Sequence, residues 1–388
     1  MSAGDERDWQ GDVVEQSRRL ASEFTLDYWL EKDEAPAYPS EFIKAFADAG
    51  WMGVIIPTEY GGLGLGITEA GLLLREVAAS GAGTSGASAI HFYVFPISPI
   101  IRHGSPEMRA EFLPQVARGE LLTAFGVTEP SAGTDTSRIT TRAVRTDGGW
   151  LINGQKVWTT NAQNASHILL LTRTSPRRDA RPLDGMTLFF GPPDRSRCTV
   201  RPIKKLGRAA IDSNEVFIND LAARDEDIVG EEGQGFFHLL DGLNPERIVI
   251  AMESVGIGQA ALRLASDYAR QRVVFDRPIG SFQAVAHPLA DCWAHLQAAE
   301  LLALKAAGLY DSGVGCGAEA NAAKYLAADA AFRACDAALQ THGGFGYAKE
   351  YHIERLWRES RLFRLAPISQ EMVLNYLSEH VLGLPKSY

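Results

Sequence analysis

The sequence predicts an α+β protein built in three successive parts. An N-terminal helical domain spans residues 1–121, a middle β domain 122–229 and a C-terminal helical domain 230–388. Two observations carry this reading. Apolar residues recur at helical spacing in the first and last parts, whereas short alternating or continuous apolar runs, punctuated by Gly, Asn, Asp and Pro, fill the middle. The length of 388 residues is also enough for two or three packed units with a large core.

In the first part, "YPSEFIKAFADAGWMGV" places Phe42, Ala45 and Phe46 on one helix face, and Gly50 suits the stop. "TEAGLLLREVAAS" is a second amphipathic run, separated from the first by the glycine-rich turn "GGLGLG". The middle part holds "LLTAFGVTE", "RAVRTDGGWLINGQKVWTTN", "HILLLTRT", "MTLFFG", "CTVRPIKKL" and "NEVFIND", which read as an antiparallel β unit with a hairpin turn at "TDGGW". After "EEGQGF" helix returns. "NPERIVIAMESVGIGQAALRLASDYARQR" predicts a long helix capped by Asn244, with Pro245 in its first turn and Glu246 favoured there by the helix dipole. Two further long alanine-rich helices follow, as expected of a closely packed bundle. There is no internal repeat and no low-complexity stretch.

Composition narrows the function. Hydrophobic content of 46% and charged content of 22% are ordinary for a globular protein. A net charge of −10 argues against non-specific binding to nucleic acid or anionic membranes. The N-terminus is polar and acidic, unlike a secretory signal, and no apolar run approaches the roughly 18–20 residues of a membrane span. Cys198, Cys292, Cys316 and Cys335 are scattered, without CxxC spacing, and read as reduced core thiols of a cytoplasmic protein with no metal site. "GIGQAA" (256–261) matches a dinucleotide pattern but lies inside a helix with no strand before it, so close helix packing is expected there. His287 and His295 read as ordinary helix residues.

Seven stretches then align in order: "IPTEYGGLGLG" (56–66), "AFGVTEPSAGTDTS" (124–137), "GQKVWTTNAQNASHILLLTRT" (154–174), "KKLGRAAIDSNEVFIND" (204–220), "VGEEGQGF" (229–236), "RQRVVFDRPIGSFQ" (270–283) and "LQTHGGFGYAKEYHIERLWRES" (339–360). Together they resemble the acyl-CoA dehydrogenase family, FAD enzymes that desaturate acyl thioesters. The resemblance runs from about residue 10 to 385. It implies a barrel-like middle β domain, a C-terminal four-helix bundle and FAD as cofactor. It also implies a CoA or carrier-protein thioester as substrate, an electron-transfer flavoprotein as acceptor, and a homo-oligomer, a homotetramer or a dimer.

The same resemblance implies the flavin contacts. The small residues of "FGVTEPSAGTD" let backbone N–H groups approach a ligand, and Phe125, Val127, Thr128, Gly133 and Thr134 would line the flavin. Trp158, Thr159 and Thr160 would cover its ring, and Ser369 would join them. Arg272, Phe275, Phe282 and Gln283 match positions that hold the adenine half across a subunit interface, Arg272 being suited to a bidentate pyrophosphate contact. Gln340, Gly343 and Gly344 resemble the turn that receives the nucleotide from a neighbouring subunit. Asp276 departs from the family's usual glycine. Thr134, Asn244 and Arg247 match substrate contacts.

The expected chemistry removes the thioester's α proton while the β hydride passes to flavin N5. Family members usually carry the base as a glutamate in a Tyr-Glu-Gly-Thr motif. Here Ala366-Pro367-Ile368-Ser369 stands at that place. Proline is no base and has no backbone N–H. Members resembling the isovaleryl and long-chain types carry the glutamate on the long helix instead, and Glu246-Arg247-Ile248 matches their motif. Glu246 is therefore the candidate catalytic base, with a helix-stabilising role as the bland alternative. Glu253, two turns along the same face, reads as a structural contact. Two other readings keep the fold: a flavin monooxygenase or other modifier of a CoA- or carrier-bound thioester, and a non-catalytic subunit of a heteromeric dehydrogenase.

Overall fold

The computed structural model describes residues 9–387. Its first part is a helical layer: α1 (Trp9–Ser22), α2 (Leu26–Glu34), α3 (Ser40–Asp48), α4 (Ile67–Val77), α5 (Gly83–Val94), α6 (Ser98–His103) and α7 (Pro106–Ala117). Phe42 and Phe46 face inward from α3, as the spacing predicts, while Ala45 is only half-buried and Ile43 is buried in its stead. The α4 helix departs from its expected amphipathicity. Nearly all its residues are buried, because α1, α5, the bundle and the segment after α4 enclose it on several sides.

The middle part is a seven-stranded sheet: β1 (Thr123–Gly126), β2 (Arg142–Thr146), β3 (Gly149–Thr160), β4 (His167–Arg173), β5 (Met186–Gly191), β6 (Cys198–Pro202) and β7 (Ser213–Ala223). The β2–β3 hairpin closes with Thr146 opposite Gly149, at the turn read from "TDGGW". Most pairings are antiparallel, as expected, but β4 runs parallel to β1 and, at one residue pair, to β2. Alternation within single strands reports burial of each face and carries no information about which strand lies alongside, so this exception was not legible.

The C-terminal part is a helical bundle: α8 (Gly235–Gln271), then a small hairpin of β8 (Val273–Val274) and β9 (Arg277–Pro278), α9 (Gln283–Asp311), α10 (Gly317–His342), α11 (Ile353–Ser360) and α12 (Gln370–His380). The α8 helix has the length and apolar content of a membrane span, yet 78% of its apolar window is buried inside the protein, so it is the core helix. The close packing expected at "GIGQAA" is present. A Cβ on Gly256 would collide with the Arg75 carbonyl of α4.

One expectation is overturned. The α8 helix begins at Gly235, well before Asn244, so Asn244 does not cap it and Glu246 is not in a first turn. The segment "GFFHLLDGL" buries Gly235, Leu239 and Gly242 at helical spacing, and that burial outweighs the break expected at Pro245. The missing Pro245 N–H leaves the Asp241 carbonyl without its helical donor, but Asp241 is exposed and water can serve it.

The start of α5 is fixed from the bundle. Gly83 has φ +60, which suits glycine, and a side chain there would strike the Glu359 carboxylate. Glu359 on α11 accepts hydrogen bonds from the Thr84 and Ser85 N–H groups (2.7 and 3.2 Å) and from both hydroxyls (2.8 and 2.6 Å). This orients α5, the helix that meets Glu246.

Candidate active site

Glu246 is almost fully buried, 6% exposed, on the face of α8 turned to α5. Its partner there is His91, in the apolar run "AIHFYVF". The His91 ring lies between two carboxylates, with Nε2 2.7 Å from Glu246 Oε2 and Nδ1 2.5 Å from Glu253 Oε1. Glu246 and Glu253 are seven residues apart on one helix face, so a single imidazole on the facing helix spans both. Burial alone would lower the imidazole's pKa. The Glu246 and Glu253 charges outweigh it and lift it to about 10, so His91 is an imidazolium at neutral pH.

A second cation completes the group. Arg208, half-buried, donates to Ser88 Oγ on α5 (3.4 Å), Thr160 Oγ1 at the end of β3 (3.2 Å) and Ser213 Oγ on β7 (3.0 Å). Burial lowers its pKa, and the charges of Glu253, Glu359 and Asp212 offset part of that. Two cations therefore stand among two carboxylates where α5, α8 and the sheet meet. Phe125 on β1 reaches the same place, its ring 4.8 Å from Phe95, which lies 6.0 Å from His91.

The flavin candidates of the β domain gather beside this cluster. Pairing of β3 with β7 shifts register between Lys156 and Thr159. That bulge turns Trp158 into the left-handed region (φ +60) and leaves its ring 57% exposed. Thr159 is fully buried with its hydroxyl unpartnered, and both amide atoms of Asn161 are likewise buried without partners. Phe125, Val127 and Thr128 are half-buried, while Gly133 and Thr134 are exposed, with open space where a Gly133 side chain would stand. Beneath this turn Lys156 donates to the Val127 carbonyl (3.1 Å) and to Glu129 (2.9 Å), and Val157 N–H donates to the Thr128 carbonyl (2.9 Å). An exposed ring, an open glycine turn and an unpaired buried hydroxyl fit a flat, polar-edged group such as the FAD ring.

The other candidates lie apart. Arg272, Phe275, Phe282 and Gln283 cluster at the β8–β9 hairpin, where Phe275 is 85% exposed and its ring sits 6.4 Å from Phe282. Gln340 lies in the last turn of α10 and Gly343 and Gly344 follow its end, where a Cβ on either glycine would meet open space. Among the described residues no hydrogen bond or ring contact joins these two groups to Trp158 or Phe125. Ser369 caps α12 by accepting from Met372 N–H, and the neighbouring Ile368 carbonyl accepts from the buried Lys324 ammonium (2.6 Å). Pro367 is exposed. Arg247 donates to Asn244 Oδ1 (3.1 Å), and its Nε is buried without a partner. No group of His, Cys, Asp and Glu among the described residues is arranged to hold a metal, and all four cysteines are free and buried.

Sequence reasoning missed His91, Ser88 and Arg208. The available signal was a lone histidine inside an apolar helix, which needs a charged partner once buried. Two clefts of about 650 and 730 Å³ open elsewhere, the second beside Tyr38, Lys204, Lys205 and Arg358, and neither includes Glu246 or His91.

Comparison with known proteins gives three family matches along the chain. They are "Acyl-CoA dehydrogenase, N-terminal domain" over residues 8–120, "Acyl-CoA dehydrogenase, middle domain" over 124–221 and "Acyl-CoA dehydrogenase, C-terminal domain" over 233–382. Acyl-CoA dehydrogenase fadE12 of Mycobacterium bovis is 39% identical over 372 residues, covering 93% of each chain. Butyryl-CoA dehydrogenase from Megasphaera elsdenii superimposes with a TM-score of 0.92 at 29% identity, over 98% of this chain and 100% of that one. A chain solved in work on the electron transferring flavoprotein of Acidaminococcus fermentans superimposes with a TM-score of 0.91 at 27% identity, over 98% and 100% of the two chains.

Proposed function

The chain belongs to the acyl-CoA dehydrogenase family, an FAD oxidoreductase acting on CH–CH bonds, and from that premise we propose that it desaturates an acyl-CoA thioester with Glu246 as base. The observation that carries this is the state of Glu246. One of its oxygens is held by buried His91, and the other takes no hydrogen bond among the described residues, whereas exposed Pro367 occupies the alternative base position. Glu246 Oε1 accepts the Cα proton, and the electron pair of the broken C–H bond moves into the enolate. FAD supplies the acceptor for the β hydride. Trp158, Thr159 and Thr160 would hold its ring, and the turn carrying Thr128, Gly133 and Thr134 would offer partners to its polar edge. Arg247 stands one residue beyond the base on α8, with its buried unpartnered Nε available to a substrate oxygen.

The electron acceptor is an electron-transfer flavoprotein, and the assembly is a homo-oligomer. Support for the oligomer comes from exposed Phe275 and Tyr347 (85% each), Leu301 (69%) and Trp293 (60%) on the helical bundle, in the same domain as Arg272.

Anaerobic mixing of the FAD-loaded protein with butyryl-, isobutyryl- and octanoyl-CoA tests the reading. At least one should bleach the flavin, and Glu246→Gln should slow bleaching by about 10²–10⁴-fold while FAD content stays unchanged. Near-normal bleaching by Glu246→Gln overturns Glu246 as base.

A further inference from the structure

We infer that His91 is a positioning residue for Glu246: clamped from behind by Glu253, its ring holds one oxygen of the Glu246 carboxylate and leaves the other free for the substrate proton. The inference rests on the reading of Glu246 as base. A carboxylate on a long side chain samples several rotamers, and general-base catalysis needs one of them. Here Oε2 is tied by Nε2 at 2.7 Å, and the ring is in turn fixed by Glu253 at 2.5 Å through Nδ1. Glu253 does not extend toward open space, since its second oxygen is buried without a partner. It serves the imidazole, a structural contact of the kind its place on the helix face suggested.

The surroundings make the arrangement rigid and charge-balanced. From α8, Glu246 and Glu253 face the ring. On α5 itself Phe92 and Phe95 flank it at 5.7 and 6.0 Å. Arg208, tied to Ser88 one turn earlier on α5, faces Glu253 from the segment before β7. The α5 helix that carries the ring is pinned at its start by Glu359. His91, an imidazolium at neutral pH, gives that oxygen a charged donor, so it both aims the base and supplies its counter-charge.

The test uses His91→Phe, which removes the clamp, and His91→Gln, which can still donate to Glu246 without charge. Two readouts are needed: the pH dependence of anaerobic bleaching by the acyl-CoA panel, and an infrared pH titration of the substrate-free, FAD-loaded protein, with Glu246→Gln as the subtraction blank. His91→Phe should slow bleaching by up to about a hundredfold. It should also move the acidic limb of the rate profile, and the Glu246 titration seen by infrared, upward by about 1–3 pH units. His91→Gln should recover part of the rate but not the shift. The infrared arm reads Glu246 directly, so it decides the matter even if none of the thioesters is turned over. If Glu246→Gln abolishes bleaching while both His91 variants leave rate and titration in place, the positioning role is wrong and the base stands. If Glu246→Gln bleaches normally, the base reading itself fails. Should His91→Phe not fold with FAD, His91→Gln decides: an unmoved infrared titration overturns the inference.

Discussion

Glu129→Gln is the substitution whose cost follows most directly from the structure. Glu129 is 2% exposed and anchors the turn that carries Thr128, Gly133 and Thr134. Its Oε2 accepts from Thr140 N–H (2.6 Å) and the Thr140 hydroxyl (2.8 Å), and its Oε1 from Thr141 N–H (2.9 Å) and the fully buried Lys156 ammonium (2.9 Å). Burial alone would raise its pKa. Lys156 and the Thr140 and Thr141 donors overturn that and bring it from 4.5 down to about 2. At 1.36 kcal/mol for each pH unit, the ionised carboxylate contributes about 3 kcal/mol at pH 7. The folded pKa lies below the unfolded one, so this stability is complete above about pH 4.5 and is lost as pH falls through about 2; at pH 3 less than half of it remains. Urea unfolding of wild type and Glu129→Gln should therefore differ by about 3 kcal/mol at pH 7 and by less than half of that at pH 3. Lys156, whose pKa burial already pulls down to about 8, would lose its counter-charge, so adding Lys156→Met should restore part of the loss. A stability gap that stays constant from pH 7 to pH 3 refutes the argument.

Glu359→Ala removes the acceptor of four hydrogen bonds at the start of α5 and leaves Arg355 buried without its carboxylate, and should cost about 3–5 kcal/mol by urea unfolding; a loss under 1 kcal/mol would contradict the pinning of α5. Trp158→Ala should leave the melting temperature of the FAD-free protein nearly unchanged, because the ring is 57% exposed, but should weaken FAD retention on gel filtration. Arg272→Ala should lower both FAD retention and the assembly size seen by sedimentation, and a wild-type monomer with full FAD would remove its basis. Pro367→Glu restores a carboxylate and an N–H at the usual position, and should return part of the bleaching lost in Glu246→Gln, since residue 367 itself is exposed.

The three-part layout was legible because periodicity reports burial, and burial decides element type in "EFIKAFAD" as in "HILLLTR". The start of α8 was not, because local signals misled: Asn244-Pro245-Glu246 has the chemistry of a helix start, yet the apolar face of residues 235–243 packs well enough to extend the helix through a proline. Glu246 was legible through a short motif on its own helix. His91 and Arg208 were not, since they come from segments 155 and 38 residues away from it and acquire meaning only when α5 and the loop before β7 are folded against α8.

The position of the proposed base has a consequence for the charges that surround it. A carboxylate at residue 367 would stand on an exposed segment, where solvent screens its neighbours. At residue 246 it sits on the core helix, where His91 from α5 and Arg247 beside it on α8 are the cations that act on it, with Arg208 behind Glu253. Low local polarisability makes those charges effective, so the electrostatic setting of residue 246 depends on how α5 and the sheet dock against α8. Loosening that docking at a distance, through Glu359 at the start of α5, should therefore disturb catalysis as well as stability. Glu359→Gln, milder than the alanine change, separates the two. At a temperature where it stays folded with full FAD, its acidic rate limb should move upward in the same direction as that of His91→Phe, and by less. A limb that stays in place while stability falls would mean that the α5 start supports the fold without setting the base.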